Sequence, residues 1–116
     1  MHGLRKSWDG FAGFGEAYFS EIYPGAVKAW RRHIRSQSNL IVPVGAVRFV
    51  VHDGQTSEEF RIGREAHYAR LTVAPGLWFA FQGVGAGISL ILSISSIEHD
   101  PTEAETRALD GIPYDW

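Results

Sequence analysis

Along most of the chain, apolar and aromatic residues come in short runs separated by turn-forming residues, and helical periodicity is hard to find. Pro24-Gly25 suits the two central positions of a turn, Asp53-Gly54 is a hairpin signal, and Ala74-Pro75-Gly76 marks a third turn. Short strands at this spacing are typical of a sandwich or a barrel. The pattern predicts eight strands, at Gly15–Tyr23, Ala26–His33, Asn39–Val44, Ala46–Asp53, Glu58–Ile62, His67–Val73, Leu77–Gln82 and Ile88–Ile94.

The last part of the chain, Glu98–Trp116, has a different composition. It carries six acidic residues against one basic residue, Arg107, and ends in the run Ile-Pro-Tyr-Asp-Trp. A segment this aromatic is expected to pack back on the barrel rather than stay in solvent. We predict one domain over residues 1–116, whose acidic tail at 98–116 contains at most one helical turn, near Thr102–Ala108.

The overall composition narrows the functional classes. The chain is 45% hydrophobic and 21% charged, as in ordinary globular proteins. The absence of cysteine excludes disulfides, zinc-thiolate sites and cysteine nucleophiles. A net charge of −2 argues against a nucleic-acid partner, and no apolar stretch is long enough to predict a membrane span. Because the first residues lack the apolar segment of a signal peptide, we expect a cytoplasmic protein.

One predicted strand is unusually basic. Four of the 11 basic residues fall between Lys28 and Arg35, and His33 lies among them. Because arginine is rarely buried without a partner, this strand indicates one of two arrangements. Either Arg31 lines a pocket for an anionic ligand, or the strand is a solvated edge with an internal ion pair. Strand alternation predicts one face made of Val27, Ala29, Arg31 and His33, and an opposite face made of Lys28, Trp30 and Arg32.

Several segments, taken in order and spacing, are similar to one known family. The residues Gly15–His33 and Gly45–Asp53, the Ala74-Pro75-Gly76 turn and the final Ile-Pro-Tyr-Asp-Trp resemble the dTDP-4-dehydrorhamnose 3,5-epimerase family. The similarity covers roughly Gly13 to Trp116, most of the chain. It implies an all-β, double-stranded β-helix (cupin or jelly-roll) fold. It also implies a homodimer that holds a nucleotide sugar in the barrel mouth.

The chain departs from this family at its catalytic positions. In the family's Arg-Gly-x-His motif the histidine takes the proton beside the ketone, and here Lys28-Ala29-Trp30-Arg31 occupies the four positions. Arginine cannot act as a conventional general base, since it stays protonated. Ser38-Asn39 stand where the family has a lysine, and His99 stands where it has a proton-donating tyrosine. The resemblance therefore implies the fold and the ligand class more than the epimerase reaction.

A neighbouring group, the dTDP-sugar 3,4-ketoisomerases, has His-x-His in the same strand, and this chain keeps the second histidine as His33. We therefore predict that His33 is the catalytic base and that Arg31 stabilises the developing enolate. His99 is the predicted second proton carrier, provided that the tail folds over the mouth. The alternatives are a structural, hydrogen-bonded histidine at 33 and a solvated one at 99.

The metal-binding pattern of many other cupins is broken here. That pattern combines two histidines, a carboxylate and a third histidine, which suits iron, manganese or nickel. Arg31 replaces the first histidine and would repel a cation. The position of the carboxylate is occupied by Gln37 or Ser38, and the position of the third histidine is occupied by Phe79. We expect neither a metal nor a cofactor.

The remaining predicted substrate contacts are Lys28, Arg48 and Phe79. Alternation places Phe79 on one face with Leu77 and Phe81, so that its ring either stacks against a nucleobase or sugar or fills the core. The pattern leaves open whether Arg48 reaches the pocket or a dimer partner.

Two functions are consistent with the sequence. The first is a nucleotide-sugar epimerase or isomerase that acts on a dTDP-4-keto-6-deoxy sugar by metal-free proton transfer. The alternative is a non-catalytic cupin that binds a nucleotide sugar or another anionic ligand, which the loss of the family's catalytic residues favours. A metal-free cupin for other sugars or carboxylates is a third candidate.

Overall fold

The computed structural model describes all residues, Met1–Trp116, as two antiparallel β-sheets that face each other. The strands are β1 (Glu16–Ile22), β2 (Val27–His33), β3 (Ser38–Val44), β4 (Val47–His52), β5 (Ser57–Ile62), β6 (Leu71–Val73), β7 (Trp78–Gly83), β8 (Ser89–Ser95) and β9 (Ala104–Thr106). Sheet 1 has the strand order β1-β8-β3-β6, and sheet 2 has the order β5-β4-β7-β2-β9. The predicted double-stranded β-helix is therefore confirmed.

All eight predicted strands are present, with ends that differ by a few residues. The largest difference is at β6, which begins at Leu71 rather than His67. The prediction for the tail was wrong in one respect, because the region near Thr102–Ala108 forms strand β9 and not a helical turn. A short 3-10 helix follows at Leu109–Gly111. The protein has no helix with the length and hydrophobicity that a membrane-spanning helix requires.

The main hydrophobic core lies between the two sheets. It contains residues such as Val42, Val47 and Phe49, all fully buried. Alternation along β7 sends Phe79 and Phe81 into this core and Trp78 and Ala80 to the outer face of sheet 2, as the pattern predicted. The side chains that point inward from β2 therefore face the space between the sheets.

A second, smaller cluster covers the outer face of sheet 2. The C-terminal tail crosses this face and buries Ile112 beside Trp30 and Trp78. The indole Nε1 of Trp30 donates a hydrogen bond to the carbonyl of Leu109 over 3.1 Å. Because β9 also pairs with β2, the tail is tied to the basic strand by backbone as well as side chains.

Candidate active site

A β-bulge in β2 decides which basic side chains face the interior. Lys28 pairs with Phe81 and Arg31 pairs with Phe79, so the stretch of β2 between these pairs is one residue longer than the matching stretch of β7. Cross-strand partners share a face of a sheet, and Phe79 and Phe81 face inward. Lys28 and Arg31 therefore both face inward, and the predicted grouping of Lys28 with Trp30 is wrong. Regular alternation failed because the bulge adds one residue between them.

Arg31 and His33 line one cavity, of about 540 Å³, between the ends of the two sheets. They lie two positions apart beyond the bulge and project in the same direction. Tyr18 and Glu16 line the opposite wall, and the loop that leads into the tail forms the rim. A guanidinium and an imidazole thus face the same hollow, as the sequence predicted.

The imidazole of His33 is held by a buried carboxylate. Its Nδ1 lies 2.9 Å from Oε2 of Glu103, which is only 5% exposed. The second oxygen of Glu103, Oε1, accepts hydrogen bonds from the backbone N–H groups of Arg35 and Ser36, each over 2.6 Å. Three donors therefore fix the carboxylate, and the carboxylate fixes the ring.

The charge on Glu103 is stabilised in the fold. Burial raises the pKa of the Glu103 carboxyl, but the hydrogen bonds from His33 and from the two backbone N–H groups outweigh burial and hold the pKa below its usual value. An ionised carboxylate accepts the Nδ1 hydrogen of His33 and leaves Nε2 of a neutral ring with a free lone pair. This tautomer is the one in which His33 can take a proton.

Glu103 was not identified in the sequence analysis. It lies 70 residues from His33 along the chain, in a tail whose acidic residues form no motif. One signal could have indicated the contact. The tail is acidic and was expected to pack back on the barrel, and opposite charges favour its packing against the most basic strand. The pairing of β9 with β2 brings about this contact, and it places Ala104 opposite His33.

A second hollow, of about 180 Å³, adjoins the first along β2. Lys28, Arg31, Phe79 and Phe81 line it, and Arg31 and Tyr18 belong to both hollows. Neither Lys28 nor Arg31 forms an ion pair within the chain. Two cations without carboxylate partners therefore lie beside an aromatic wall.

Phe79 connects this second hollow to His33. The ring of Phe79 is 7% exposed and stacks on the imidazole, with centroids 6.2 Å apart and planes inclined by 24°. One face of Phe79 is thus already occupied by His33. What remains of the ring lines the hollow.

His99 lies on the loop that forms the cavity rim, and its side chain is exposed. The loop is held by Asp100, whose Oδ1 accepts hydrogen bonds from the backbone N–H and hydroxyl of Thr102 over 3.0 and 2.9 Å. These bonds, with a smaller contribution from the positive charge of Arg35, hold the pKa of Asp100 below its usual value. His99 therefore borders the same cavity as His33, on its solvent side.

Arg48 does not reach either hollow. It alternates with Val47 and Phe49, which point into the core, so its side chain lies on the outer face of sheet 2. There its guanidinium bonds to Gln82, lies 3.5 Å from the Glu59 carboxylate and packs 5.3 Å from the ring centroid of Trp116. The prediction that Arg48 contacts substrate is wrong for a ligand held between the sheets of this chain.

The other sequence-predicted residues line the two adjoining hollows, with Arg31 in both, and Arg48 is separated from them by a sheet. No group of three or more histidine, aspartate or glutamate side chains is arranged to hold a metal ion. The arrangement instead combines a carboxylate-held imidazole, unpaired cations and an aromatic wall.

Comparison with known proteins gives clear matches. The crystal structure of dTDP sugar isomerase from Desulfovibrio desulfuricans G20 superposes with a TM-score of 0.93 and 34% sequence identity, over 99% of this chain and 79% of that one. The chain belongs to the dTDP-sugar epimerase and isomerase family of cupins. No family model matches the chain.

Two further proteins are similar to the chain. The probable low-salt glycan biosynthesis epimerase Agl13 of Haloferax volcanii is 29% identical, over an alignment that covers 97% of this chain and 75% of Agl13. The sugar 3,4-ketoisomerase QdtA of Thermoanaerobacterium thermosaccharolyticum, crystallised with TDP, has a TM-score of 0.70 and 15% identity, over 79% of this chain and 66% of that one. At that identity, QdtA shows the shared cupin fold only.

Proposed function

We propose that this protein is an epimerase or isomerase of a dTDP-4-keto-6-deoxy sugar. The observation that carries the proposal is the contact between His33 and Glu103 at the wall of a cavity that Arg31 also lines. The names of the similar proteins, a dTDP sugar isomerase and a glycan biosynthesis epimerase, support the substrate class. The proposed reaction moves only protons, so it consumes no oxidant or reductant.

His33 is the proposed base. A hydrogen on the carbon next to a ketone is removed by the lone pair of Nε2, and the electron pair moves onto the ketone oxygen to give an enolate. The Glu103 carboxylate stabilises the imidazolium that forms, as well as the tautomer that reacts. Proton transfer by a positioned side chain contributes about 10²–10⁴-fold to a rate.

Arg31 and Lys28 are the proposed anion-binding residues. Arg31 borders both hollows, so it can stabilise negative charge on the enolate oxygen or bind the nucleotide's diphosphate. Lys28 lines only the second hollow, where a diphosphate would find both cations. Phe79 is the proposed apolar contact of the ligand in that hollow. The absence of ion-pair partners for the two cations supports this assignment.

The alternative function is a cupin that binds the nucleotide sugar without chemistry. Arg31 at the position of the family's catalytic histidine favours it, because a guanidinium binds anions but removes no protons. His33 bonded to Glu103 would then be structural. The two functions share the same ligand and differ in whether a carbon-bound hydrogen exchanges with solvent.

Solvent exchange tests the proposal with dTDP-4-keto-6-deoxyglucose as the probe. Incubation with the protein in D₂O is expected to place deuterium at C3 or C5, as followed by NMR. His33→Asn should lower the rate by about 10²–10⁴-fold and retain nucleotide-sugar binding in calorimetry. The matched control is His67→Asn, since His67 is exposed and lines neither hollow.

The outcomes separate the two functions. Binding without exchange in the unchanged protein would assign it to the non-catalytic alternative. Exchange that persists at the normal rate in His33→Asn would remove His33 from the mechanism. His99→Ala tests the predicted rim proton carrier, and a loss of turnover in that variant would place His99 in the reaction.

We also propose that the protein is a homodimer that works in the cytoplasm. The outer face of sheet 1 supports dimerisation, because Phe19 is 66% exposed there, next to Leu92, and Val44 is 50% exposed opposite Leu90. A second copy would cover this apolar face. Light scattering should give the mass of a dimer, and Phe19→Arg should shift it to a monomer. Cell fractionation checks the location.

A further inference from the structure

Two buried serines on β8 face the space between the sheets. Ser93 and Ser95 are only 6% and 4% exposed. Ser93 pairs with Leu40 of the core, so its side chain points inward, and Ser95 lies two positions further along the strand and points the same way. Ser93 lines the second hollow and Ser95 lines the first. Both hydroxyls therefore belong to the wall that sheet 1 contributes to the site.

Neither of these hydroxyls has a hydrogen-bond partner within the chain, unlike other serines nearby. The hydroxyl of Ser89, on the same strand, donates to the carbonyl of Ala46 and accepts the N–H of that residue, each over 3.0 Å. The hydroxyl of Ser96, just after the strand, accepts a backbone N–H over 2.9 Å. Because buried polar groups are normally hydrogen-bonded, the free hydroxyls of Ser93 and Ser95 indicate that a ligand in the hollows supplies their partners.

The groups across each hollow indicate which part of a ligand each serine meets. Ser95 shares the first hollow with His33, the proposed base. Ser93 shares the second hollow with Lys28 and Arg31, which have no ion-pair partners. A sugar carbon must reach the imidazole to react, and a diphosphate is attracted to the two cations. The sugar therefore belongs in the first hollow and the diphosphate in the second.

A serine hydroxyl suits both kinds of partner. It carries one hydrogen to donate and two lone pairs that accept, so it matches a sugar hydroxyl, which has the same groups. A phosphoryl oxygen of a diphosphate only accepts, and a serine hydroxyl can donate to it. That second bond is the stronger one, because its acceptor is charged.

We propose that Ser95 recognises a hydroxyl group of the sugar and that Ser93 donates a hydrogen bond to the diphosphate. This inference rests on the proposed function. The two serines determine specificity from sheet 1, while the side chains of β2 supply the base and the positive charge. A ligand without the sugar loses only the contact with Ser95, and every ligand with a diphosphate keeps the contact with Ser93.

Calorimetry with dTDP and dTDP-glucose tests the proposal. Both ligands carry the diphosphate, only the second carries a sugar, and neither has a ketone, so no reaction disturbs the measurement. Ser95→Ala should weaken the binding of dTDP-glucose by about 3–10-fold and leave that of dTDP unchanged, since one neutral hydrogen bond is lost. Ser93→Ala should weaken both ligands by the same factor, about 10-fold or more, because the lost bond has a charged acceptor.

Ser96→Ala is the matched control. Ser96 follows Ser95 directly in the chain and lines neither hollow, so this variant should bind both ligands as the unchanged protein does. A thermal melt checks that all three variants fold.

The pattern across the two ligands decides the outcome. Selective loss of dTDP-glucose binding in Ser95→Ala, together with an equal loss for both ligands in Ser93→Ala, supports the inference. Unchanged affinities overturn it, as do an equal loss for both ligands in Ser95→Ala and a loss confined to dTDP-glucose in Ser93→Ala.

The failure of the proposed function would look different. If the predicted pattern is found but the keto sugar exchanges no hydrogen, the inference stands for the non-catalytic alternative and the catalytic function fails. If the unchanged protein binds neither ligand, both are removed.

Discussion

Replacing Glu103 by glutamine should disable His33 while keeping the fold. The amide oxygen of the new side chain can still accept the backbone N–H groups of Arg35 and Ser36, since glutamine and glutamate have the same shape. The amide nitrogen then faces Nδ1 of His33, where two donors cannot bond. The ring must adopt the other tautomer, which puts the hydrogen on Nε2 and removes the base.

The magnitude follows from the bonds that Glu103 makes. A hydrogen bond to a charged group contributes about 1.5–3 kcal/mol, so Glu103→Gln should lower the free energy of unfolding by about 1–3 kcal/mol in urea titrations. The exchange rate should fall by about 10²–10⁴-fold. Alanine at position 103 would be less informative, because it leaves two buried N–H groups without acceptors. Each unsatisfied group would lower the free energy of unfolding by about 1–3 kcal/mol.

Glu105→Gln is the matched control for this substitution. Glu105 lies two residues further along the tail, and its carboxylate pairs with Arg32 over 2.7 Å at an exposed position. Exposed ion pairs contribute about 0–1 kcal/mol, so this variant should be nearly as stable and as active as the unchanged protein. A Glu103→Gln variant that exchanges deuterium at the normal rate would refute the assigned role of Glu103.

The other predictions concern stability. Because the pKa of Glu103 is lowered in the fold, its charge stabilises the protein above the ordinary glutamate value of 4.5, and this contribution is lost as the pH falls through the lower folded value. The stability difference between the unchanged protein and Glu103→Gln should therefore shrink below about pH 4.5, and a constant difference in urea titrations would contradict this reasoning. Trp30→Phe should lower the free energy of unfolding by about 1–3 kcal/mol, because it removes the hydrogen bond to Leu109 and leaves a cavity under the tail. An unchanged Tm in a thermal melt would contradict this prediction. Gly45→Ala should lower the free energy of unfolding by at least about 1–3 kcal/mol, because Gly45 has a φ of +83° and a Cβ there would collide with the side chain of Ser89. A variant of normal stability would show that the turn can relax.

The strands were predictable from local sequence, and the contact between His33 and Glu103 was not. Pro24-Gly25, Asp53-Gly54 and Ala74-Pro75-Gly76 mark turns through residues adjacent in the chain. Strand β9 has no such pattern, because Ala104–Thr106 is a strand only through its pairing with β2. The carboxylate of Glu103, just before this strand, therefore became visible only once the tail was placed.

The bulge in β2, like strand β9, has no local sequence pattern that predicts it. Ala29 and Trp30 fit a regular alternation as well as they fit a bulge, so nothing in the local pattern moves Lys28 to the inner face. The assignment of Arg31 and His33 to one face survived, because both lie on the same side of the irregularity. Arg48 shares a face of β4 with Val50, and that face lies outside the barrel, so no local pattern could separate it from the pocket residues.

The most direct test of the central claim is the mass of the sugar after incubation in D₂O. If His33, oriented by Glu103, removes a carbon-bound proton, dTDP-4-keto-6-deoxyglucose should gain deuterium with the unchanged protein, and His33→Asn should abolish nearly all of the gain. A sugar that binds in the cavity and keeps its original mass would contradict the account.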